Sequence, residues 1–237
     1  MSTKQDKRIA KNRSTGSSKS EIAAFVKKAG ELTKSSANGG RGRLLFALDA
    51  TMSRQPTWDL ACSLQSQMFD AVANTGGLDV QLLYFRGFGE CRASKWVGDT
   101  ASLSKLMSGL QVRGGHTQIG KVFSHTRTEH AKRKINALVF VGDAMEEDAD
   151  RLAHKAGELG LLGCPIFVFQ EGHDSRVEAV FREFARLTKG AYARFDASAP
   201  KELAELLRAV AAFASGGHAA LRAQKSGSAK RLLEQLR

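Results

Sequence analysis

Cysteine and proline are scarce in this sequence, with three of each among 237 residues. Cys62, Cys91 and Cys164 lie far apart and show no C-x-x-C spacing, which excludes a disulfide framework and a cysteine-based zinc site. The N-terminal segment has no apolar stretch of the kind found in secretion signals, and no later run approaches the roughly 18 apolar residues of a membrane span. We therefore expect no membrane span and a cytoplasmic location.

The middle of the sequence has no excess of positive charge, although the formal net charge of the whole chain is +12. Residues 1–43 hold 11 Lys/Arg and three acidic residues, residues 218–237 hold five and one, and the remainder holds 20 of each. The central domain is therefore expected to be neutral. Nucleic-acid binding through the two ends is an alternative function, but such a polyanion contact would be weak, non-specific and sensitive to salt.

The two ends also differ from the centre in their patterning. Residues 1–17 are basic and polar, which predicts a disordered tail. Residues 18–33 begin with a capping-box pattern and carry apolar residues at helical spacing. They predict an amphipathic helix that either docks on the domain or binds a partner or an anionic surface. A Gly/Ser-rich linker is expected over 34–42, and a basic C-terminal tail outside the core over 216–237.

Short apolar runs alternate with segments of helical periodicity through residues 43–215, which we interpret as one domain. Runs of this kind predict parallel strands that are covered on both faces, and they occur at 44–48, 80–85, 137–141 and 165–169. An antiparallel edge strand over 90–97 and a last strand over 191–195 are also expected. Helices are predicted near 57–74, 99–109, 118–132, 148–160, 175–189 and 199–214. The alternation predicts an α/β fold with a doubly wound, mostly parallel, Rossmann-like sheet flanked by helices.

Polar residues follow two of the predicted strands. Asp49-Ala-Thr51-Met-Ser53 follows the first apolar run, and Asp143 follows the third. Thr117 lies in another polar segment, just before the helix that leads to the third run. Ligands of open α/β sheets bind beyond the carboxyl ends of the strands, where the strand order reverses. We therefore expect these five residues to share one site.

The five side chains suit a hard divalent cation. Oxygen ligands from carboxylates, hydroxyl groups and water are those that Mg²⁺ and Mn²⁺ prefer. The carboxylates of Asp49 and Asp143 balance the charge of the ion, while the hydroxyl groups of Thr51, Ser53 and Thr117 are neutral. The ion would stay electrophilic, with an open position for an incoming carboxylate.

The same residues give the chain a resemblance to von Willebrand factor type A (vWA) domains. Asp49 to Ser53 resembles the D-x-S-x-S motif of the family's metal-ion-dependent adhesion site (MIDAS), with Thr51 in place of the usual Ser. Thr117 lies in Gly-Gly-His-Thr-Gln-Ile, similar to the family pattern G-G-x-T-x-[IL], and Asp143 resembles the last acid of the site. The resemblance implies a metal set of Asp49, Thr51, Ser53, Thr117 and Asp143, and a strand order of 3-2-1-4-5-6.

The resemblance also implies a function. It indicates a bacterial intracellular, non-catalytic module that binds a protein partner, with an acidic residue of that partner completing the metal shell. Bacterial relatives of this domain work beside AAA-type ATPases or stress-response systems, so a partner in such an assembly is expected.

Other chemistry is compatible with parts of the sequence. A metal with an open position can activate water, so a metal-dependent phosphoester hydrolase is an alternative, although Thr51 stands where a second acid would be expected. Gly115 to Lys121 resembles a phosphate-binding loop, but Val122 replaces the required Ser or Thr. Residues 145–150 are rich in acids, and we favour the acidic start of a helix over extra metal ligands.

Overall fold

The computed structural model describes residues 40–51, 55–64, 66–71, 77–196 and 200–236. The tail expected over 1–17 and the helix expected over 18–33 lie outside these residues, as does Ser53 of the predicted metal motif. The predicted linker is described only from residue 40 onwards, and its last residue, Gly42, belongs to the first strand.

The described residues form one six-stranded sheet. Its strands are β1 (Gly42–Asp49), β2 (Leu78–Arg86), β3 (Glu90–Val97), β4 (Ala137–Gly142), β5 (Ile166–Glu171) and β6 (Ala191–Phe195). Their order in the sheet is β3-β2-β1-β4-β5-β6. All neighbours are parallel except β2 and β3, which are antiparallel. The predicted fold class and strand order are thus confirmed.

Helices cover both faces of this sheet. They are α1 (Gln55–Leu64), α2 (Ser66–Asp70), α3 (Thr100–Ser108), α4 (Ile119–Lys132), α5 (Ala149–Leu161), α6 (Ser175–Thr188), α7 (Pro200–Ala223) and α8 (Gly227–Gln235). Buried residues of α4, α5 and α6 form the core on one face, and those of α3, α7 and α8 contribute to the core on the other. No helix in the described ranges combines the length and apolarity needed to cross a bilayer.

The central strand β1 is buried along its whole length, as its apolar composition predicts. Because side chains alternate across a strand, Leu44, Phe46 and Leu48 lie in the core that contains α7, while Leu45 and Ala47 lie in the core that contains α4. Packing from both sides fixes this strand, and with it the position of the polar residues that follow.

The C-terminal segment differs from the basic tail expected outside the core over 216–237. Helix α7 passes a break at Gly217, where φ is 63°, and α8 follows it. Leu221 and Leu232 are buried in the same core as the residues of β1. The Gly/Ser positions that suggest a chain leaving the domain lie at the break in α7 and at the start of α8, so they change the direction of a packed chain.

Helix α8 also covers the outer side of β6. The Gln235 side chain accepts a hydrogen bond from the Tyr192 backbone N–H through Oε1 (2.9 Å) and donates one to the Tyr192 carbonyl through Nε2 (2.9 Å). The two backbone groups of Tyr192 that point away from β5 are thus both satisfied by one side-chain amide.

A buried charged cluster joins α4 to β3 and to the beginning of β1. The Arg43 guanidinium lies 3.8 Å from the ring centroid of Trp96 and 3.7 Å from Glu129 Oε2. Glu129 accepts hydrogen bonds from the Lys132 ammonium group (2.6 Å) and from the Trp96 indole N–H (3.1 Å). These bonds, that of Lys132 foremost, hold the pKa of Glu129 below its ordinary value. The cluster lies at the end of β1 opposite Asp49, so we regard it as structural.

Candidate functional site

Asp49 is the last residue of β1, and its side chain lies in the candidate site. The residue is only 4% exposed. Its Oδ1 accepts a hydrogen bond from the Thr51 backbone N–H (2.8 Å), as in turns that an Asp side chain closes two residues further on. Between them, the carbonyl of Ala50 accepts a hydrogen bond from the Arg113 N–H (3.0 Å). The local sequence thus brings a carboxylate and a hydroxyl group to one strand end and ties them to the loop before α4.

Asp143 lies beside this strand end because β1 and β4 are parallel neighbours. Leu48 of β1 is in register with Val141 of β4, so the residues that follow leave the sheet at the same edge. A Cβ added at Gly142 would lie 4.0 Å from that of Asp49, which shows how closely the two strand ends approach. The strand order reverses between β1 and β4. Open α/β sheets bind their ligands at this kind of position.

The loop before α4 brings Thr117 to the same strand ends. The backbone N–H of His116 donates to the carbonyl of Gly87 in the β2–β3 turn (3.3 Å). Gly115 packs directly on that turn, because a Cβ at this position would lie 2.2 Å from the Gly87 oxygen. The close approach requires glycine, and it leaves Thr117 only 7% exposed.

Four of the five predicted metal ligands line one cavity of about 150 Å³. The residues that line it are Asp49, Thr51, Gly114, Gly115, Thr117, Asp143, Ala144 and Glu146. The fifth predicted ligand, Ser53, lies outside the described residues. Asp49 and Asp143, which are 94 positions apart in the sequence, are therefore brought together here.

The donor set of the cavity fits a hard cation. The carboxylates of Asp49 and Asp143 and the hydroxyl groups of Thr51 and Thr117 all offer oxygen, the ligand atom that Mg²⁺ and Mn²⁺ favour. Within the ranges that the structure describes, no group of three or more His, Cys, Asp or Glu side chains could hold a metal by itself. A cation in this cavity would therefore depend on hydroxyl groups and water as well as on carboxylates.

Glu146 lines the cavity too, whereas the sequence favours a helix start for the acidic segment 145–150. Its Oε2 accepts a hydrogen bond from the Thr117 N–H (2.9 Å), and its own N–H donates to Thr117 Oγ1 (3.0 Å). The side chain is half-exposed, so its charge adds to the negative potential at the mouth of the cavity. The reciprocal pair connects the loop after β4 to the loop before α4.

The neighbours of Glu146 have different partners. Asp148 is the N-cap of α5 and accepts a hydrogen bond from the Arg151 N–H (2.8 Å), as expected for a helix start. Glu147 instead accepts from the N–H groups of Ile119 (2.5 Å) and Gly120 (2.9 Å), and so it caps the first turn of α4. No local pattern reveals this cap, because Glu147 is 28 and 27 positions away from the residues it caps.

The three cysteines of the chain supply no reactive thiolate. All three are free thiols. Burial raises the pKa of Cys62 and of Cys91 to about 11, and that of Cys164 to about 12. The thiols therefore stay protonated near neutral pH.

A larger cleft of about 540 Å³ lies between α7 and α8. Two pairs of the residues that line it contact each other: Arg231 lies 2.7 Å from Glu202, and Ser228 donates a hydrogen bond to Glu205 (3.1 Å). None of the predicted ligands that the structure describes lines this cleft, so the smaller cavity at the strand ends is the stronger candidate for a site.

Comparison with known proteins gives matches among solved structures. A von Willebrand factor type A protein from Catenulispora acidiphila matches with a TM-score of 0.62 and 16% identity over 75% of this chain and 43% of that protein. The SpRpn10 VWA domain matches with a TM-score of 0.55 and 13% identity over 69% of this chain and 95% of that domain. Proximal thread matrix protein 1 from the mussel byssus, with a zinc-occupied MIDAS motif, matches with a TM-score of 0.59 and 13% identity over 73% and 46% of the two chains.

No protein-family model and no curated protein sequence matches the chain. The structural matches, at 13–16% identity, concern the fold, and the chain has the vWA fold that its motifs predict. It spans less than half the length of the Catenulispora and mussel proteins.

Proposed function

We propose that this chain is a non-catalytic interaction module that depends on a divalent metal. Asp49, Thr51, Ser53, Thr117 and Asp143 would hold Mg²⁺ or Mn²⁺, and an acidic residue of a protein partner would complete the metal shell. Ser53 enters this set through the sequence motif alone. The partner would belong to a cytoplasmic assembly, for which an AAA-type ATPase or a stress-response complex is the expectation.

The convergence of Asp49, Thr51, Thr117 and Asp143 on one cavity at the switch point of the sheet carries this proposal. Three separate loops supply these oxygen donors, although nothing in the packing of a core requires polar groups at this place. The zinc-occupied MIDAS motif of the mussel protein, which has the same fold, gives further support.

The residues of the cavity have separate tasks in this proposal. Asp49 and Asp143 would balance the charge of the ion, and the hydroxyl groups of Thr51 and Thr117 would complete its inner shell without neutralising it. A bound cation would supply an electrophilic centre that attracts a carboxylate. The hydrogen bonds between Thr117 and Glu146 keep the Thr117 hydroxyl group at the cavity before any ion arrives, which lowers the cost of ordering the site.

Metal titration by calorimetry tests the proposal, with the full chain stripped of metal by a chelator. Wild type should bind one Mg²⁺ or Mn²⁺, and Asp49→Ala should bind none. Asp150→Ala is the matched control, because it removes the charge of an exposed carboxylate near the site that does not line the cavity. Urea unfolding of each variant would confirm that it is folded.

Equal metal binding by wild type and Asp49→Ala, or no binding by wild type, would contradict the proposal.

A separate assay tests the proposal that the module is non-catalytic. Release of p-nitrophenol from p-nitrophenyl phosphate by the Mn²⁺-loaded wild type, lost in Asp49→Ala, would indicate the hydrolase alternative instead.

A further inference from the structure

An exposed aromatic side chain stands at the turn between β2 and β3. Phe88 is 87% exposed. Among the described residues, the other large apolar side chains that are strongly exposed are Leu161 and Leu162. Leu161 is the last residue of α5 and Leu162 follows it, before β5 begins, so both lie at the opposite end of the sheet from Asp49. Phe88, in contrast, lies at the end that carries the metal cavity.

Phe88 is directly connected to the rim of that cavity. Its ring packs edge-on against His116, with 5.3 Å between the ring centroids. His116 precedes the predicted ligand Thr117, and its Nδ1 lies 3.0 Å from Oε2 of Glu146, which lines the cavity. Phe88 and His116 together form an exposed aromatic surface next to the cavity, here called the Phe88 patch.

The turn that carries Phe88 is held by several hydrogen bonds. Gln118 Nε2 donates to the carbonyls of Arg86 (3.3 Å) and Glu90 (3.2 Å). Lys121 Nζ donates to the carbonyl of Gly89 (2.8 Å). The guanidinium group of Arg86 also donates to the Glu90 carboxylate (2.9 Å) across the turn. The backbone beneath an exposed Phe is therefore fixed, which lowers the entropy lost when a partner covers the ring.

The bound cation and two exposed basic side chains would draw the occupant's carboxylate, which the proposed function requires, to this end of the molecule. Arg113 is exposed on the loop that lines the cavity, and Lys121 is exposed beside the turn. Asp49 and Asp143 would balance the charge of the bound cation, but the open position of the cation would still accept a carboxylate. Glu146 adds a negative charge at the mouth of the cavity, and its carboxylate accepts a hydrogen bond from the Thr117 N–H.

We propose that the Phe88 patch determines the specificity of the metal site, and that its occupant is a protein segment with a large apolar residue within two positions of the metal-binding Asp or Glu. This inference rests on the proposed function of the cavity. An extended chain advances about 3.3 Å per residue, so two positions span about 7 Å. We choose this short spacing because the Phe88 ring contacts His116, which is the immediate neighbour of the predicted ligand Thr117.

A peptide selection tests this inference with the full chain. A phage-displayed library of random heptapeptides is bound to the Mn²⁺-loaded protein and eluted with EDTA. Wild type should enrich peptides in which an Asp or Glu is followed or preceded, within two positions, by Leu, Ile, Met or an aromatic residue. Phe88→Ala should enrich the acid without the apolar neighbour. Leu161→Ala, which removes an equally exposed apolar side chain at the far end, should select the same peptides as wild type.

Synthetic peptides from the selection then give the size of the effect by fluorescence anisotropy. Phe88→Ala should weaken binding of the acidic-apolar peptide by about tenfold, as loss of a buried aromatic contact at an interface does. It should leave unchanged the weaker binding of the same peptide with Gly at the apolar position. Phe88 is exposed, so its substitution should not affect the unfolding midpoint in urea.

The outcomes separate this inference from the proposed function. Enrichment of acids by wild type without any apolar preference, or the same apolar preference in Phe88→Ala, would overturn the role of the patch and leave the metal site standing. Selection by wild type of peptides without an acid, or selection that persists in Asp49→Ala, would overturn the proposed function and the inference with it.

Discussion

Replacing Gly115 by Ala should disturb the loop that carries Thr117, and Gly114→Ala is the matched control. A Cβ at position 115 would lie 2.2 Å from the carbonyl oxygen of Gly87, whereas a Cβ at position 114 meets no atom within 4 Å. Neither glycine has a positive φ that would disfavour alanine. The two substitutions add the same methyl group to adjacent residues, so they differ in steric contact.

The overlap sets the size of the expected effect. Real Cβ atoms essentially never approach a neighbour closer than 3.0 Å, so the loop and the turn must separate by at least 0.8 Å, from 2.2 to 3.0 Å. Overpacking of this kind costs roughly 1–3 kcal/mol. We expect Gly115→Ala to lower the free energy of unfolding by about 2 kcal/mol. Gly114→Ala should leave it unchanged or raise it by up to about 1 kcal/mol, because alanine restricts the unfolded chain.

Urea unfolding followed by circular dichroism measures this difference, with the m-value expected to stay constant. Titration with Mn²⁺ adds a second reading for Gly115→Ala, because displacement of Thr117 should weaken its metal binding relative to that of the wild type. Each 1.4 kcal/mol of lost binding energy corresponds to about tenfold in affinity. Equal unfolding free energies for the two variants would refute the reasoning, since the turn would then yield at no cost.

Two further predictions concern parts of the fold away from the cavity. The pKa of Glu129 is lowered in the folded state, chiefly by Lys132, so this group stabilises the fold above its unfolded-state pKa of about 4.3 and stops doing so as pH falls through the lower folded-state value. Below about pH 4.5 the unfolding free energy should therefore fall less steeply with decreasing pH in Glu129→Gln than in the wild type. Urea unfolding at a series of pH values measures this, and the same pH dependence in both proteins would contradict the prediction. Leu232→Ala should cost about 2–5 kcal/mol because the side chain is fully buried, whereas Leu161→Ala, at 92% exposure, should cost less than about 0.5 kcal/mol. Thermal melts compare the two leucine variants, and equal melting temperatures would show that α8 does not contribute to the core.

Four of the predicted metal ligands could be placed together from the sequence because short-range patterns indicate where strands end. The short apolar run that ends at Asp49 favours a strand covered on both faces, and the run before Asp143 has the same character. Parallel pairing then brings their ends together. The Gly-Gly pair before Thr117 indicates a close backbone approach, and Gly115 makes such an approach to Gly87.

The remaining features depend on contacts between distant segments, which no local pattern contains. Glu146 belongs to the cavity because its backbone and carboxylate pair with Thr117, 29 positions away. Phe88 is a lone aromatic residue between two glycines, and only its contact with His116 shows that it lies near the site. The burial of α8 is hidden because its apolar positions, such as Leu232, are few among charged residues and follow a Gly/Ser break.

The hydrogen bonds between Gln235 of α8 and Tyr192 of β6 should oppose self-association through this edge strand. An edge strand normally has unpaired backbone N–H and C=O groups with which a strand of another chain can pair. Such pairing is a route to aggregation. At Tyr192 that template is already occupied, and an incoming strand would have to displace α8, which is anchored by the buried Leu232. If α8 detaches, we therefore expect the exposed β6 strands of otherwise folded molecules to pair edge to edge. This association should precede any unfolding of the central strands.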